Sequence, residues 1–152
     1  MSLTSHSSAD FGHVPPELSA DLPERLIHTN VVGSLNQDEL TFSQNRRHQV
    51  NIVDLPSRVI SMTVGGLEPG QGTRRHRHNY ETLIYVLEGS GMSIIGGREV
   101  RWQRGDAFYV PVWAWHEHIN LSVKDKASYL ACENAPHLQN LGIALREEAQ
   151  EA

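Results

Sequence analysis

Two histidine pairs stand out by type and spacing: His76-Arg77-His78 and His116-Glu117-His118. On an extended strand, residues two apart project to the same face, so each pair presents two imidazoles together. Neutral imidazole is the commonest protein metal ligand. An isolated His-X-His pair binds little, but two pairs in one small β domain can converge on a single ion. Thr82, Ile84 and Val86 share the parity of His76 and His78 and are expected on the same interior face. Glu81 has the opposite parity and faces away; it is an alternative ligand only if a bulge turns it inward. Arg74 has the inward parity and is the candidate for an anionic substrate, whereas Arg75 and Arg77 face outward. Trp113 and Trp115 flank His116, and aromatic side chains so placed can wall an apolar pocket. Met62 shares a strand face with Arg58, Ile60 and Val64, and that face or its complement lines the pocket.

These residues must be held by elements, and from residue 50 the text reads as strands. QVNIVDL, RVISMTVGGL, TLIYVLEG, GMSIIGG, REVRW, DAFYVP, HEHINL and KASYLACE are short runs rich in β-branched and aromatic residues. Gly, Pro and Asp punctuate them at the spacing of an all-β antiparallel barrel or jelly roll. Gly96-Gly97 is a two-residue hairpin signal. The barrel is expected over residues 50–135. Residues 1–12 have the composition of a disordered terminus. Residues 13–49 form an N-terminal helical or irregular segment packing on the barrel. In it Leu18, Leu22 and Leu26 recur at helical spacing, Pro15 or Pro16 suits a first turn, and Pro23 divides the pattern. Residues 33–49 are polar and ambiguous. The tail, 136–152, returns to helical spacing with Leu138, Leu141 and Leu145 on one side.

Composition narrows the function. The chain has 152 residues and a net charge of −5 with neutral histidines, and its basic residues cluster no further than Arg74, Arg75 and Arg77. That argues against a nucleic-acid partner. One cysteine, Cys132, cannot form an internal disulfide and favours a reducing compartment. The first residues lack a signal-peptide pattern, and no apolar run approaches the roughly 18 residues of a membrane span. A cytoplasmic protein with no membrane partner is expected.

GQGTRRHRHNYETLIYVLEG resembles the first motif of the cupin superfamily: Gly, five residues, His-X-His, three or four residues, Glu, six residues, Gly. Gly70, His76, His78 and Gly89 fall in place, and Thr82 occupies the Glu position. GDAFYVPVWAWHEHIN resembles the second motif, with Gly105, Pro111, His116 and Asn120 matching and Trp113 in place of a Gly. The wording around HRH and WHEH is similar to gentisate- and salicylate-type ring-cleaving dioxygenases. Those cupins also lack the Glu and bind iron(II) through three histidines. The resemblance implies His76, His78 and His116 as ligands, with His118 facing substrate or shuttling a proton. Those enzymes place an arginine for a substrate carboxylate where this chain has Ile84, and they are usually longer, two-barrel chains.

The expectation is therefore an iron(II)-dependent dioxygenase acting on a small chelating organic molecule, an aromatic one among the candidates. The alternatives are a non-oxidative isomerase or lyase using Zn, Mn or Ni, and a non-catalytic ligand-binding cupin. Leu83, Tyr85 and Leu87 are apolar on the outward face, and a strand apolar on both faces is covered on both. A second sheet, the N-terminal segment or a partner subunit can cover it, and the resemblance favours a homodimer.

Overall fold

A computed structural model describes residues 11–33 and 37–151. It comprises α1 (Gln37–Arg46), β1 (Gln49–Ile52), β2 (Ser61–Leu67), β3 (His76–His78), β4 (Thr82–Glu88), β5 (Ser90–Ile95), β6 (Arg98–Gln103), β7 (Ala107–Val110), β8 (His116–Ile119), β9 (Ala127–Glu133), α2 (Ala135–Asn140) and β10 (Arg146–Glu148). The strands make two five-stranded antiparallel sheets, ordered β1-β2-β9-β4-β7 and β10-β3-β8-β5-β6. The expectation of disorder over residues 1–12 falls largely outside the described residues.

Period-two burial explains why the strands face as they do. In β4, Thr82, Ile84 and Val86 are buried while Leu83, Tyr85 and Leu87 are exposed. The inward faces of the two sheets share a core of Leu67, Ile84, Val86, Ile95, Trp102, Val110, Ala127, Tyr129 and Ala131. Close approach between β4 and the start of β9 demands Gly89: its φ is +76°, and a Cβ there would lie 2.5 Å from the Lys126 carbonyl oxygen.

The helices depart from expectation. Residues 11–33 contain turns but no helix, and Leu18, Leu22 and Leu26 are exposed. Three prolines and an apolar face with nothing to bury against leave a helix there unsupported. The helix lies instead in the polar stretch, as α1. It docks through hydrogen bonds rather than an apolar stripe. Ser43 Oγ bonds both the Val50 carbonyl oxygen (3.1 Å) and the Val50 amide (2.9 Å), and the buried Glu39 carboxylate accepts the Ile52 amide at 2.8 Å. These bonds occupy polar groups of β1, which forms one edge of its sheet.

The tail is also not one helix. α2 stops at Asn140, Gly142 takes φ +73°, and the chain then extends into β10. There Arg146, Glu147 and Glu148 pair with His78, Arg77 and His76 of β3. Among the described residues, no helix is long and apolar enough to cross a membrane.

Candidate metal centre

The topology makes β3 and β8 neighbours, with His76 directly opposite His116 in the ladder. His78, two residues along, projects to the same side. One nitrogen from each of His76, His78 and His116 lies within 4.8 Å of the others. Ring centroids are 4.2 Å apart for His76–His116, 4.8 Å for His78–His116 and 5.5 Å for His76–His78.

Each ring is oriented by the same local device. Nδ1 of His76 donates to the Arg74 carbonyl at 2.8 Å, that of His78 to Tyr80 at 2.8 Å, and that of His116 to Ala114 at 2.9 Å. A carbonyl oxygen only accepts, so Nδ1 carries the hydrogen in all three rings and Nε2 keeps its lone pair. Tyr80 lies flat against His78 with ring centroids 3.9 Å apart, which further restrains that ring.

Burial keeps these imidazoles neutral. It is the largest cause lowering His76 to about 3, with the neighbouring His116 adding to it. Burial likewise brings His78 to about 4, against the bond to the Tyr80 carbonyl, and moves His116 down. Three neutral, pre-oriented Nε2 donors fit a divalent ion, since protonated imidazole cannot ligate.

A cavity of about 360 Å³ opens onto the three rings. Thr82, Ile84, Ala131 and Tyr129 wall it on the side of the β1-β2-β9-β4-β7 sheet, and Arg46 and Arg146 on the side of α1 and β10. Thr82 Oγ1 donates to Glu133 Oε2 at 3.0 Å. His118 also lines the cavity and is buried. Trp102 Nε1 donates to Ser93 Oγ at 2.9 Å, and Ser93 Oγ stands 2.7 Å from His118 Nδ1. Ser93 Oγ already accepts from Trp102, and among the described hydrogen bonds His118 Nδ1 is the one acceptor within reach of its hydroxyl, which assigns the Nε2–H tautomer to His118. Burial lowers His118 well below the ordinary histidine value, so it is a neutral donor.

Several candidate residues lie elsewhere. Glu81, which immediately precedes β4, is exposed, accepts the Tyr109 hydroxyl at 2.6 Å and stays outside the cavity. Met62 lies on the outer sheet face opposite Cys132; the complementary face, with Ser61, Thr63 and Gly65, lines the cavity. Trp113 and Trp115 do not wall it. Arg77 sits over both rings, 4.4 and 4.5 Å from their centroids, and Arg75 over Trp115 at 5.0 Å. Trp113 holds φ +64° where the motif has Gly. Arg74 lies at an adjoining mouth of about 460 Å³, 3.8 Å from Glu148. Arg46, 3.3 Å from Glu148, and Arg146, also paired with it, border both spaces.

Sequence reasoning missed Glu133, Tyr80, Arg46 and Arg146. Glu133 had a signal: it ends a strand whose alternate residues Tyr129 and Ala131 are apolar and inward. The arginines had none, since their elements meet the cavity only through tertiary contact.

Two antiparallel sheets enclosing a three-histidine cluster have the fold of a cupin barrel. Residues 63–132 match the cupin domain. The chain is 40% identical over 87 residues to 5-aminosalicylate 1,2-dioxygenase of a Comamonas species, covering 57% of this chain and 22% of that enzyme. It is 36% identical over 72 residues to gentisate 1,2-dioxygenase 1 of Aquipseudomonas alcaligenes, covering 45% and 21%. The matched part is thus about a fifth of the length of these curated relatives. In three dimensions it is similar to the salicylate 1,2-dioxygenase of Pseudaminobacter salicylatoxidans, with a TM-score of 0.65 at 20% identity over 76% of this chain and 38% of that one. A cupin 2 conserved barrel domain protein of Rhodopseudomonas palustris gives a TM-score of 0.51 at 18% identity, over 57% and 59% of the two chains. At these identities the structural likeness is one of fold.

Proposed function

We propose that this chain is an iron(II)-dependent dioxygenase acting on a small, metal-chelating organic molecule of the hydroxylated aromatic class. The observation that carries the reading is the convergence of three neutral Nε2 donors from His76, His78 and His116. The names of the relatives, dioxygenases of aminosalicylate and gentisate, support it. Iron(II) held by three neutral donors supplies open positions for a chelating substrate and dioxygen.

The protein residues orient and enclose. Ile84 and Ala131 offer an apolar wall to a ring. His118 directs an Nε2 hydrogen bond at substrate oxygen rather than abstracting a proton, because Ser93 occupies its Nδ1. With Ile84 in place of an arginine, the positive charge that attracts an anionic group comes from Arg46 and Arg146.

The test is elemental analysis of protein purified without oxygen, nitric oxide binding to the same sample, and oxygen uptake with hydroxybenzoates, catechols and β-diketones. About one iron per chain, a nitrosyl spectrum and oxygen consumption are expected. The same donors accept zinc, manganese or nickel. Stoichiometric zinc or nickel without an adduct would overturn the oxidative reading in favour of isomerase or lyase chemistry.

The chain also acts as a homodimer in this reading. On the outer face of the β1-β2-β9-β4-β7 sheet, two apolar rows cross four strands: Tyr109–Leu83–Cys132–Met62 and Ala107–Tyr85–Leu130–Val64. Leu83 is 62% exposed and Tyr85 48%, a face suited to a second copy. Its single cysteine suits a cytoplasmic setting.

A further inference from the structure

Glu133 ends β9 and pairs in register with Thr82 of β4 on one side and Ser61 of β2 on the other. Its side chain lines the histidine cavity. Thr82 stands where the cupin motif carries Glu, and its hydroxyl holds Glu133 Oε2 at 3.0 Å. The carboxyl group absent at position 82 is therefore returned to the cavity from the neighbouring strand. It is not one of the clustered ligand groups, which are the three histidines alone among the described residues.

Every other titratable group along that cavity is a donor or is already committed. The three histidines of the cluster carry their hydrogens on Nδ1 and are the groups that would hold the metal. His118 accepts at Nδ1 and carries its hydrogen at Nε2. His48 Nδ1 donates to the Arg46 carbonyl at 3.0 Å, and its Nε2 takes the Tyr129 hydroxyl at 3.3 Å. Burial pushes the Tyr80 and Tyr129 phenols up, so both stay protonated. Arg46 and Arg146 are permanent cations. Among the described lining residues Glu133 is the only carboxylate.

We infer that Glu133 is the proton acceptor of this cavity: it takes the hydroxyl proton of the phenol or enol that enters, while Thr82 is the positioning residue that holds its carboxyl. The ligand O–H bond breaks and its electron pair stays on the ligand oxygen. A new O–H bond forms on the Glu133 oxygen, and no electrons are transferred. Burial raises the Glu133 carboxyl, whereas the Thr82 hydroxyl and the Arg46 charge draw it down. The inference rests on the proposed function in one respect, that the ligand is a hydroxylated chelator.

The test uses metal-loaded, oxygen-free protein and 4-nitrocatechol. Calorimetric titrations at neutral pH in two buffers of different ionisation heat count the protons released per ligand bound. Wild type is expected to release about one proton fewer than Glu133→Gln, because Glu133 retains it. Thr82→Val, which keeps the carboxyl, is expected to give the wild-type count. An infrared difference spectrum of wild type alone needs no variant and should gain a protonated-carboxyl band on binding. Equal counts, or no such band, overturn the inference while leaving the chelating ligand in place. Failure of wild type to bind 4-nitrocatechol overturns the functional reading, and this inference with it.

Discussion

At the scale of residues, the hydrogen on Nδ1 decides what each imidazole can do. Three carbonyl oxygens fix it for His76, His78 and His116, and Ser93 fixes the opposite tautomer for His118. Two residues of one strand, His116 and His118, thereby acquire different chemistry. His116→Ala is expected to lower metal affinity by more than about 100-fold with the barrel still folded, more than loss of a supporting partner costs. His118→Ala should retain the metal and, by losing an oriented hydrogen-bond donor, lose about 100-fold in kcat. Metal content and circular dichroism on both variants check this; metal surviving the first and lost in the second would reverse the assignment. Protonation gives a third outcome. His76 and His78 ionise near 3 and 4 when folded but near 6.5 when unfolded. The unfolded chain therefore takes up protons first, and the stability these two groups contribute to metal-free protein is full above pH 6.5 and lost as pH falls through the window down to about 3. Urea midpoints across that range measure it, and a flat profile contradicts it.

At the scale of elements, β3 is three residues long yet carries two of the three rings, so its neighbours must hold it. β8 supplies the third ring and β10 closes the other edge, with Arg77 paired to Glu147 and packed on Trp113 and Trp115. Trp113 keeps a left-handed backbone, its amide bonded to the His78 carbonyl at 2.7 Å. Trp113→Gly relieves about 1 kcal/mol of backbone strain but removes the contact with Arg77, so a net stability change within about 1 kcal/mol is expected by urea denaturation. Gly89→Ala has no such offset. The added Cβ meets the Lys126 carbonyl and the Ala127 Cα at a φ that resists side chains, and a loss of about 2–3 kcal/mol is expected in the same assay.

At the scale of the whole molecule, apolar surface is unevenly covered. The inward sheet faces share one core, while the outer face of β2, β9, β4 and β7 exposes Met62, Leu83, Tyr85 and Tyr109 and leaves Leu130 and Cys132 half-buried. Residues 11–33 add exposed Phe11, Val14, Leu18, Leu22, Leu26 and Ile27, and the segment is tied to the end of β1 by Arg25–Asp54 at 2.8 Å. Size-exclusion chromatography with light scattering is expected to give a dimer mass. Leu83→Glu with Tyr85→Glu should shift it to monomer with metal content unchanged, since neither side chain faces the cavity. A monomeric wild type would remove the second copy from the account.

The sequence by itself determined what depends on short-range order. Period-two alternation located the barrel strands, and parity separated His76, His78, Thr82 and Ile84 from Glu81. Only the tertiary structure decided which elements meet. It set His76 opposite His116, brought Glu133 to Thr82 across a strand boundary, and turned a helix-spaced tail into β10. Polar α1 escaped notice because side-chain hydrogen bonds, not an apolar stripe, dock it on β1. Periodicity reports the face a residue presents; the partner on that face is chosen by chain folding over long separations, which local pattern does not encode.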